Sequence, residues 1–340
     1  MEKKHSSLRI WWQAFRYHFV PPSMFPVILG ALVSWSQGLG FSLWYFFLVL
    51  FAVIINHIAL NMTDDYFDFI HAVDHYGKDK KNPYTGGSGT LTQGLIQPVT
   101  MKYVFSLMYL IVIFIGIYLS IMRGWFVLVF GILGIVSSIF YTAPPLKLSH
   151  HGLGEITMLL NFSVTLGLGS FYVQAQLINL EALIAILPCG IMLFSMIIIN
   201  EIPDINEDTQ AGKLTLVARY GSAVALKLFI ASWLSTYFII ILGVVFNILP
   251  LFCLLALLSV PLVVHTVFIL QRYLTSSKNI VQANFSMILA HSVTSFGLIV
   301  GYIYDGLIKK ADITSLWFII LLVSLVYIPA ILPLLIKKPR

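Results

Sequence analysis

Residues 42–68 read SLWYFFLVLFAVIINHIALNMTDDYFD. Most of this stretch is apolar and long enough to cross a bilayer, which takes roughly 20 residues of helix. It ends on three carboxylates, Asp64, Asp65 and Asp68. A charge buried unpaired at such a place costs on the order of several kcal/mol, so something must compensate these three. If the helix continues through Asp68, Asp65 and Asp68 stand at i, i+3 and Asp64 and Asp68 at i, i+4, which puts carboxylates on one face. A second acidic stretch, residues 200–208 (NEIPDINED), also follows directly on an apolar run. Both stretches read Asn, three residues, Asp, with a further Asp three or four residues on. Asp204 and Asp208 repeat the i, i+4 pair, and Pro203 suggests a kink or a fresh helical start just before them. The repetition predicts that the two clusters face one another across a polyphosphate held by divalent metal.

Composition sets the frame. Of 340 residues, 59% are hydrophobic and 10% charged, against roughly 25% charged in a soluble domain. The chain therefore reads as an all-α, polytopic integral membrane protein. Five of the 14 acidic residues lie within 64–79 and four within 201–208, a clustering that a solvated surface does not require. The formal charge of +6 does not point to nucleic acid, because basic residues of membrane proteins collect in cytoplasmic loops. Cys189 and Cys253 sit in apolar runs without a CxxC or Cys/His spacing and read as buried free thiols.

The first 19 residues are basic and aromatic, and resemble an interfacial amphipathic segment more than a cleavable signal. Ten apolar stretches follow, near 20–38, 42–62, 101–121, 124–142, 155–175, 182–200, 222–246, 248–270, 284–304 and 314–336. The expected architecture is a bundle of nine to ten spans built as two four-helix repeats around a central cavity, with the main domain at 20–310 and an added span and basic tail at 311–340. With the N-terminus inside, 17 of the 20 Lys and Arg residues fall on the inner side, leaving Arg123, Lys309 and Lys310 outside. That bias predicts that both acidic motifs face the cytoplasm, at the cell membrane if the source is bacterial.

Mg²⁺ suits the acidic pairs because it takes oxygen ligands, keeps several waters and is completed by substrate phosphates. Asn61 and Asn200 lie one turn before Asp65 and Asp204, where an amide can orient a carboxylate, bind a diphosphate oxygen or make a core hydrogen bond. Lys147, Lys213, Lys80 and Lys81 are candidates for balancing phosphate charge or are plain positive-inside lysines. Tyr141 and Tyr66 are candidate wall residues. The run TGGSGTLTQG (85–94) matches neither GxxxxGK[ST] nor GxGxxG and reads as a turn or a phosphate-side lid. His57, His71, His75, His150 and His151 lack transition-metal spacing beyond one i, i+4 pair and read as loop histidines. An ion-coupled transporter remains a reading of another class, but it expects acids near the middle of spans.

The stretches NMTDDYFDFIHAVD, YTAPPLK and NEIPDINEDTQAGKLTLVARYG together resemble the UbiA superfamily of intramembrane prenyltransferases, over roughly residues 15–305. DDYFD with Asp74, GGSGTLTQG and HGLGE look most like the branch acting on 1,4-dihydroxy-2-naphthoate in menaquinone biosynthesis. Asp64 stands where the family commonly has Asn, and Pro203 where that branch is often basic. The resemblance implies a helical bundle with a cavity open toward the cytoplasmic side and the bilayer. A polyprenyl diphosphate donor would sit on two Mg²⁺ ions held by Asp64, Asp65, Asp68, Asp204 and Asp208, and an aromatic acceptor would attack the allylic cation. A terpene cyclase on the same fold would share these motifs.

Overall fold

The structure is a computed structural model that describes residues 7–71, 86–276 and 280–309. In chain order its helices are α1 (Ser7–Phe15), α2 (Pro21–Ser36), α3 (Leu43–Ile70), α4 (Pro98–Arg123) and α5 (Phe126–Phe140). There follow α6 (Gly154–Ala175), α7 (Leu180–Glu201), α8 (Ile205–Gln210), α9 (Leu216–Val245), α10 (Val260–Ser276) and α11 (Ile280–Ile308). No strand occurs among the described residues. The expected stretches from 20–38 to 284–304 each coincide with a helix, while the tenth, 314–336, lies outside the described residues. Among the described residues seven helices are long and apolar enough to cross a membrane, or eight if the segment Ser7–Phe19 and α2, bent by 52°, count as one span. The difference from nine lies in α5, whose 15 residues fall short of a full crossing.

Local chemistry sets the helix starts. Ser42 Oγ accepts from Tyr45 N at the head of α3, Asn179 Oδ1 from Ala182 N at 2.9 Å on α7, and Thr215 Oγ1 from Ala218 N at 3.1 Å on α9. Each satisfies an orphan backbone donor that a membrane interior would make expensive. Pro98 opens α4 at a position where its missing N–H is not needed. Gly221, at φ 79, breaks α9 near its start, one residue before the apolar stretch read from 222.

The centre of the bundle is held by small residues. A Cβ on Gly30 of α2 would overlap the Gly167 carbonyl oxygen of α6, and one on Gly190 of α7 would overlap the Leu159 carbonyl oxygen. Between lipid-embedded helices there is little hydrophobic drive, so close backbone approach of this kind supplies the packing. In the middle of α6, residues Asn161–Leu168 form a π-helical turn. Its first residue is tied across to α5, where Asn161 Nδ2 donates to Ser137 Oγ at 2.7 Å. By contrast, α4 leaves Tyr103, Leu107, Leu110, Phe114, Ile117 and Ile121 exposed. These recur every three or four residues, the stripe a helix shows to lipid. An integral membrane protein accounts for so much unpartnered apolar surface.

Gly30→Ala should lower the stability of the detergent-solubilised protein by about 1–3 kcal/mol, because the clash is with backbone. Gly116→Ala on α4, which meets nothing within 4 Å, should be neutral or stabilising by up to about 1 kcal/mol. Thermal or denaturant unfolding of the two variants side by side checks the contrast.

Candidate active site

The helical stripe His57, Leu60, Asn61, Asp64, Asp68 of α3 forms one wall of a cavity of about 1160 Å³, counting its open mouth. Asn200 and Glu201 at the end of α7, with Asp204 and Asp208 just beyond, form the facing wall. The chain between α7 and α8 makes a single 3-10 turn, Ile202–Asp204, around Pro203. That fresh start turns Asp204 and Asp208 toward the first motif, as the sequence suggested. Gly86 and Gly87 border the cavity, placing the glycine-rich loop over it.

The acids do not stand alone. Arg16 Nη1 lies 3.3 Å from Asp64 Oδ2 and 3.2 Å from Asp65 Oδ1, and Lys213 Nζ lies 2.9 Å from Asp68 Oδ2. Thr142 Oγ1 donates to Asp64 Oδ1 at 2.6 Å. Asp65 also accepts from the Ser88 backbone N–H, at 3.2 Å on Oδ1 and 3.0 Å on Oδ2. Burial works to lower the pKa of the Lys213 ammonium, but the carboxylates of Asp68, Asp64 and Asp208 outweigh it and hold the group well above its usual value. Lys213 is thus a fixed cation. Burial, helped by Glu201 and Asp64, pushes the Tyr141 phenol well up, so this hydroxyl on the cavity wall keeps its proton. His150 is held down at about 4 by burial and by Lys213 and Lys147, and is neutral near pH 7.

Most of the residues singled out by sequence meet here, with four corrections. Asp65 is not on the cavity wall; consecutive helical residues diverge by about 100°, and Asp65 is turned to Arg16 and the Ser88 amide while Asp64 and Asp68 face inward. Lys147 follows the turn after Tyr141 but is not part of the wall. Tyr66 packs edge-on against Phe105 at 5.6 Å instead of lining the cavity. His57 is no loop residue: it sits within α3 on the wall, edge-on to Phe162 at 6.2 Å. Lys80, Lys81, Asp74 and His75 lie outside the described residues. Asn61 Nδ2 donates to the Phe15 carbonyl at 3.3 Å, and Asn200 Oδ1 accepts from Asn284 Nδ2 at 2.6 Å, so both amides are held while bordering the cavity.

Three further residues of the candidate site carry no expectation from the sequence. Arg16 was read as part of a surface segment; only the packing of α1 on α3 brings it to residues 48 and 49 positions away. Thr142 has no motif signal beyond its place in YTAPPLK. Glu155 of HGLGE takes the first backbone N–H of α9, with Oε1 2.6 Å from Leu216 N, and so fixes the segment that carries Lys213.

Among the described residues no three Asp, Glu, His or Cys side chains converge on one point as a ready-made metal cage. Mg²⁺ does not need one: it is held by one or two carboxylates with phosphate and water completing the shell. Asp64 with Asp68, and Asp204 with Asp208, supply such pairs on facing walls. The two cations already drawn onto the first pair show that this end of the cavity calls for positive charge.

Below the acids the cavity continues. His57, Leu60, Met158 and Phe162 also border a narrow chamber of about 20 Å³ of free volume, room for about one water. Val53, Asn56, Gly134 and Leu166 are shared by that chamber and an apolar pocket of about 900 Å³ between α3, α4, α5 and α6.

The 1,4-dihydroxy-2-naphthoate octaprenyltransferase of Bacillus subtilis (strain 168) is 27% identical over 235 residues, 69% of this chain and 73% of its own length. That of Escherichia coli (strain K12) is 27% identical over 269 residues, 77% and 85%. The 2-carboxy-1,4-naphthoquinone phytyltransferase of Synechocystis sp. is 22% identical over 301 residues, 88% and 94%. A solved structure concerned with digeranylgeranylglyceryl phosphate synthase shares the fold, with TM-score 0.56 and 14% identity over 88% of this chain and 100% of that one. Residues 23–290, including both acidic motifs, match the UbiA prenyltransferase family. The chain belongs to that family and is a membrane-embedded prenyltransferase.

Proposed function

We propose that the protein transfers a polyprenyl group from a polyprenyl diphosphate to 1,4-dihydroxy-2-naphthoate, a step of menaquinone biosynthesis, and that it does so with Mg²⁺. The observation that carries this reading is one cavity with carboxylate pairs on facing walls, two fixed cations among them, and apolar side chains beneath. The choice of acceptor is supported by the naphthoate enzymes among its relatives. The Lys and Arg bias supports a cytoplasmic mouth.

In this reading Asp64 and Asp68 on one side and Asp204 and Asp208 on the other hold the ions, with Asp65 anchoring the loop at Ser88. The chemistry Mg²⁺ supplies when bound is neutralisation of the charge that develops on the leaving diphosphate. Arg16 and Lys213, relieved of their carboxylates, turn to the same phosphate oxygens; a guanidinium is suited to them by its fork of donors. Tyr141, kept protonated, donates from the wall. Asn61 and Asn200, held by the Phe15 carbonyl and by Asn284, border the cavity where diphosphate oxygens would lie. Leu193, Met196 and Ile197 of α7 line the apolar side along which the prenyl chain lies, and they keep water from the allylic cation. The acceptor ring then bonds to the first prenyl carbon as the carbon–oxygen bond to diphosphate breaks. Loss of the ring carboxylate as carbon dioxide leaves its electron pair to restore aromaticity.

Membranes containing the protein should convert polyprenyl diphosphate and 1,4-dihydroxy-2-naphthoate to prenylated product only with divalent metal. Asp64→Asn with Asp208→Asn should lower the rate by about 100-fold or more. Turnover that survives both chelation and this double substitution would refute the mechanism.

Arg16→Ala should raise the donor KM by about 10-fold or more, the worth of a charged hydrogen bond, while Arg16→Lys keeps part of the affinity. Saturation curves in polyprenyl diphosphate at fixed naphthoate measure the effect, and a change in acceptor KM alone would contradict the assignment.

A further inference from the structure

A groove between α9 and α10 shares no lining residue with the acid-lined cavity and holds about 360 Å³ of free volume, against about 210 Å³ there. Ile230, Trp233 and Leu234 of α9 and Val263, Val267 and Phe268 of α10 line it. Leu234 and Phe268 are exposed at its rim, so it opens on apolar surface that a bilayer would cover. Trp233 forms its floor: the residue is 1% exposed, and its indole Nε1 is buried with no hydrogen-bond partner among the described residues. A buried indole N–H usually has an acceptor, and leaving one bare is costly. A water beside Trp233 would have few other partners. The lining is apolar apart from Gln271 and Tyr237, whose hydroxyl is already engaged with Ser259 at 2.8 Å. A bare hydrocarbon chain would fill the space and bring no acceptor. The occupant that answers both needs is long and apolar and carries oxygen near one end.

Charge says which end. α9 begins three residues after Lys213, the partner of Asp68, so the Ile230 end of the groove is the one nearer the acidic motifs. Lys227 stands seven residues before Leu234 and is exposed, so it continues the rim toward that end. It precedes Trp233 by six residues, about 9 Å along the helix axis. The glycerol of a phospholipid bridges such an interval, with the phosphate above and an ester carbonyl below. Anionic lipid is enriched in the leaflet on whose side Lys and Arg collect. We propose that the groove holds one anionic phospholipid, with an acyl chain between α9 and α10, an ester carbonyl accepting from Trp233 Nε1, and the phosphate at Lys227. The site depends on membrane embedding alone and stands apart from the prenyl-transfer reading.

The test is native mass spectrometry of the full chain released from bilayers of phosphatidylcholine and phosphatidylglycerol in equal amounts. The native protein should retain a single phosphatidylglycerol about 10-fold more often than a phosphatidylcholine, the worth of a charged hydrogen bond. Lys227→Gln should bring the two within about two-fold of each other. Diether phosphatidylglycerol, which has no ester carbonyl, should be retained about five-fold less than the diester by the native protein, and equally with it by Trp233→Phe. Native protein that keeps no discrete phospholipid, or keeps diester and diether alike, overturns the proposal. So does Trp233→Phe that still prefers the diester, or Lys227→Gln that still prefers phosphatidylglycerol. Lipid displaced by added polyprenyl diphosphate assigns the groove to the prenyl chain, and a dimer split by Leu234→Ser assigns it to a second copy; either result overturns the proposal too. If Trp233→Phe does not fold, the diester and diether comparison on the native protein decides, because it needs no variant.

Discussion

The fold is arranged around a charge problem. Three carboxylates stand on the last turns of a 28-residue apolar helix, two of them buried, and charge removed from water is tolerated only with close partners. Arg16 arrives from the N-terminal side and Lys213 from the segment after the second motif, so two distant parts of the chain must close over α3 before the site is neutralised. Each closure has its own support: Ala14 packs in a cluster with Ala59, Met62 and Met101, and Glu155 fixes the start of α9. Breaking a buried ion pair at one end leaves the other charge uncompensated, at about 3–5 kcal/mol. The same pairs hold two fixed cations beside the carboxylates at the cavity.

How much of this could be read from residues alone differs from place to place. The helical run through Asp68 and the restart at Pro203 were legible, because periodicity and proline act locally. Asp65 was legible in part, since helical neighbours diverge by about 100° and a wall built from Asp64 and Asp68 turns Asp65 aside, and the two-motif pattern obscured it. Lys213 and Lys147 could not be separated by sequence: each reads equally as a phosphate cation or a positive-inside lysine, and only tertiary packing puts one at 2.9 Å from Asp68 and the other off the wall. Arg16 carried no signal, being one of four basic residues in a short amphipathic lead-in. The π-helical turn at Asn161–Leu168 had none either, because one extra residue in a turn leaves hydropathy unchanged.

The expected count of spans shows the limit of hydropathy more plainly. It read 124–142 as a crossing, yet α5 has 15 residues, and its neighbourhood is where apolar space opens between helices. A short helix and a widened turn on α6 face each other there across the Ser137–Asn161 hydrogen bonds. Irregular backbone at membrane depth is tolerated where it borders a cavity or is covered by protein, and here the irregular turn is where the cavities meet.

The apolar pocket has an unequal enclosure. Its inner side is formed by α3 and α6, while much of its outer side is α4, whose other face carries the apolar stripe. α4 packs on α3 and α5 and touches only the end of α6. The remaining side of the pocket opens onto the apolar surface that a bilayer would cover, so its enclosure would be completed by lipid and not by the polypeptide.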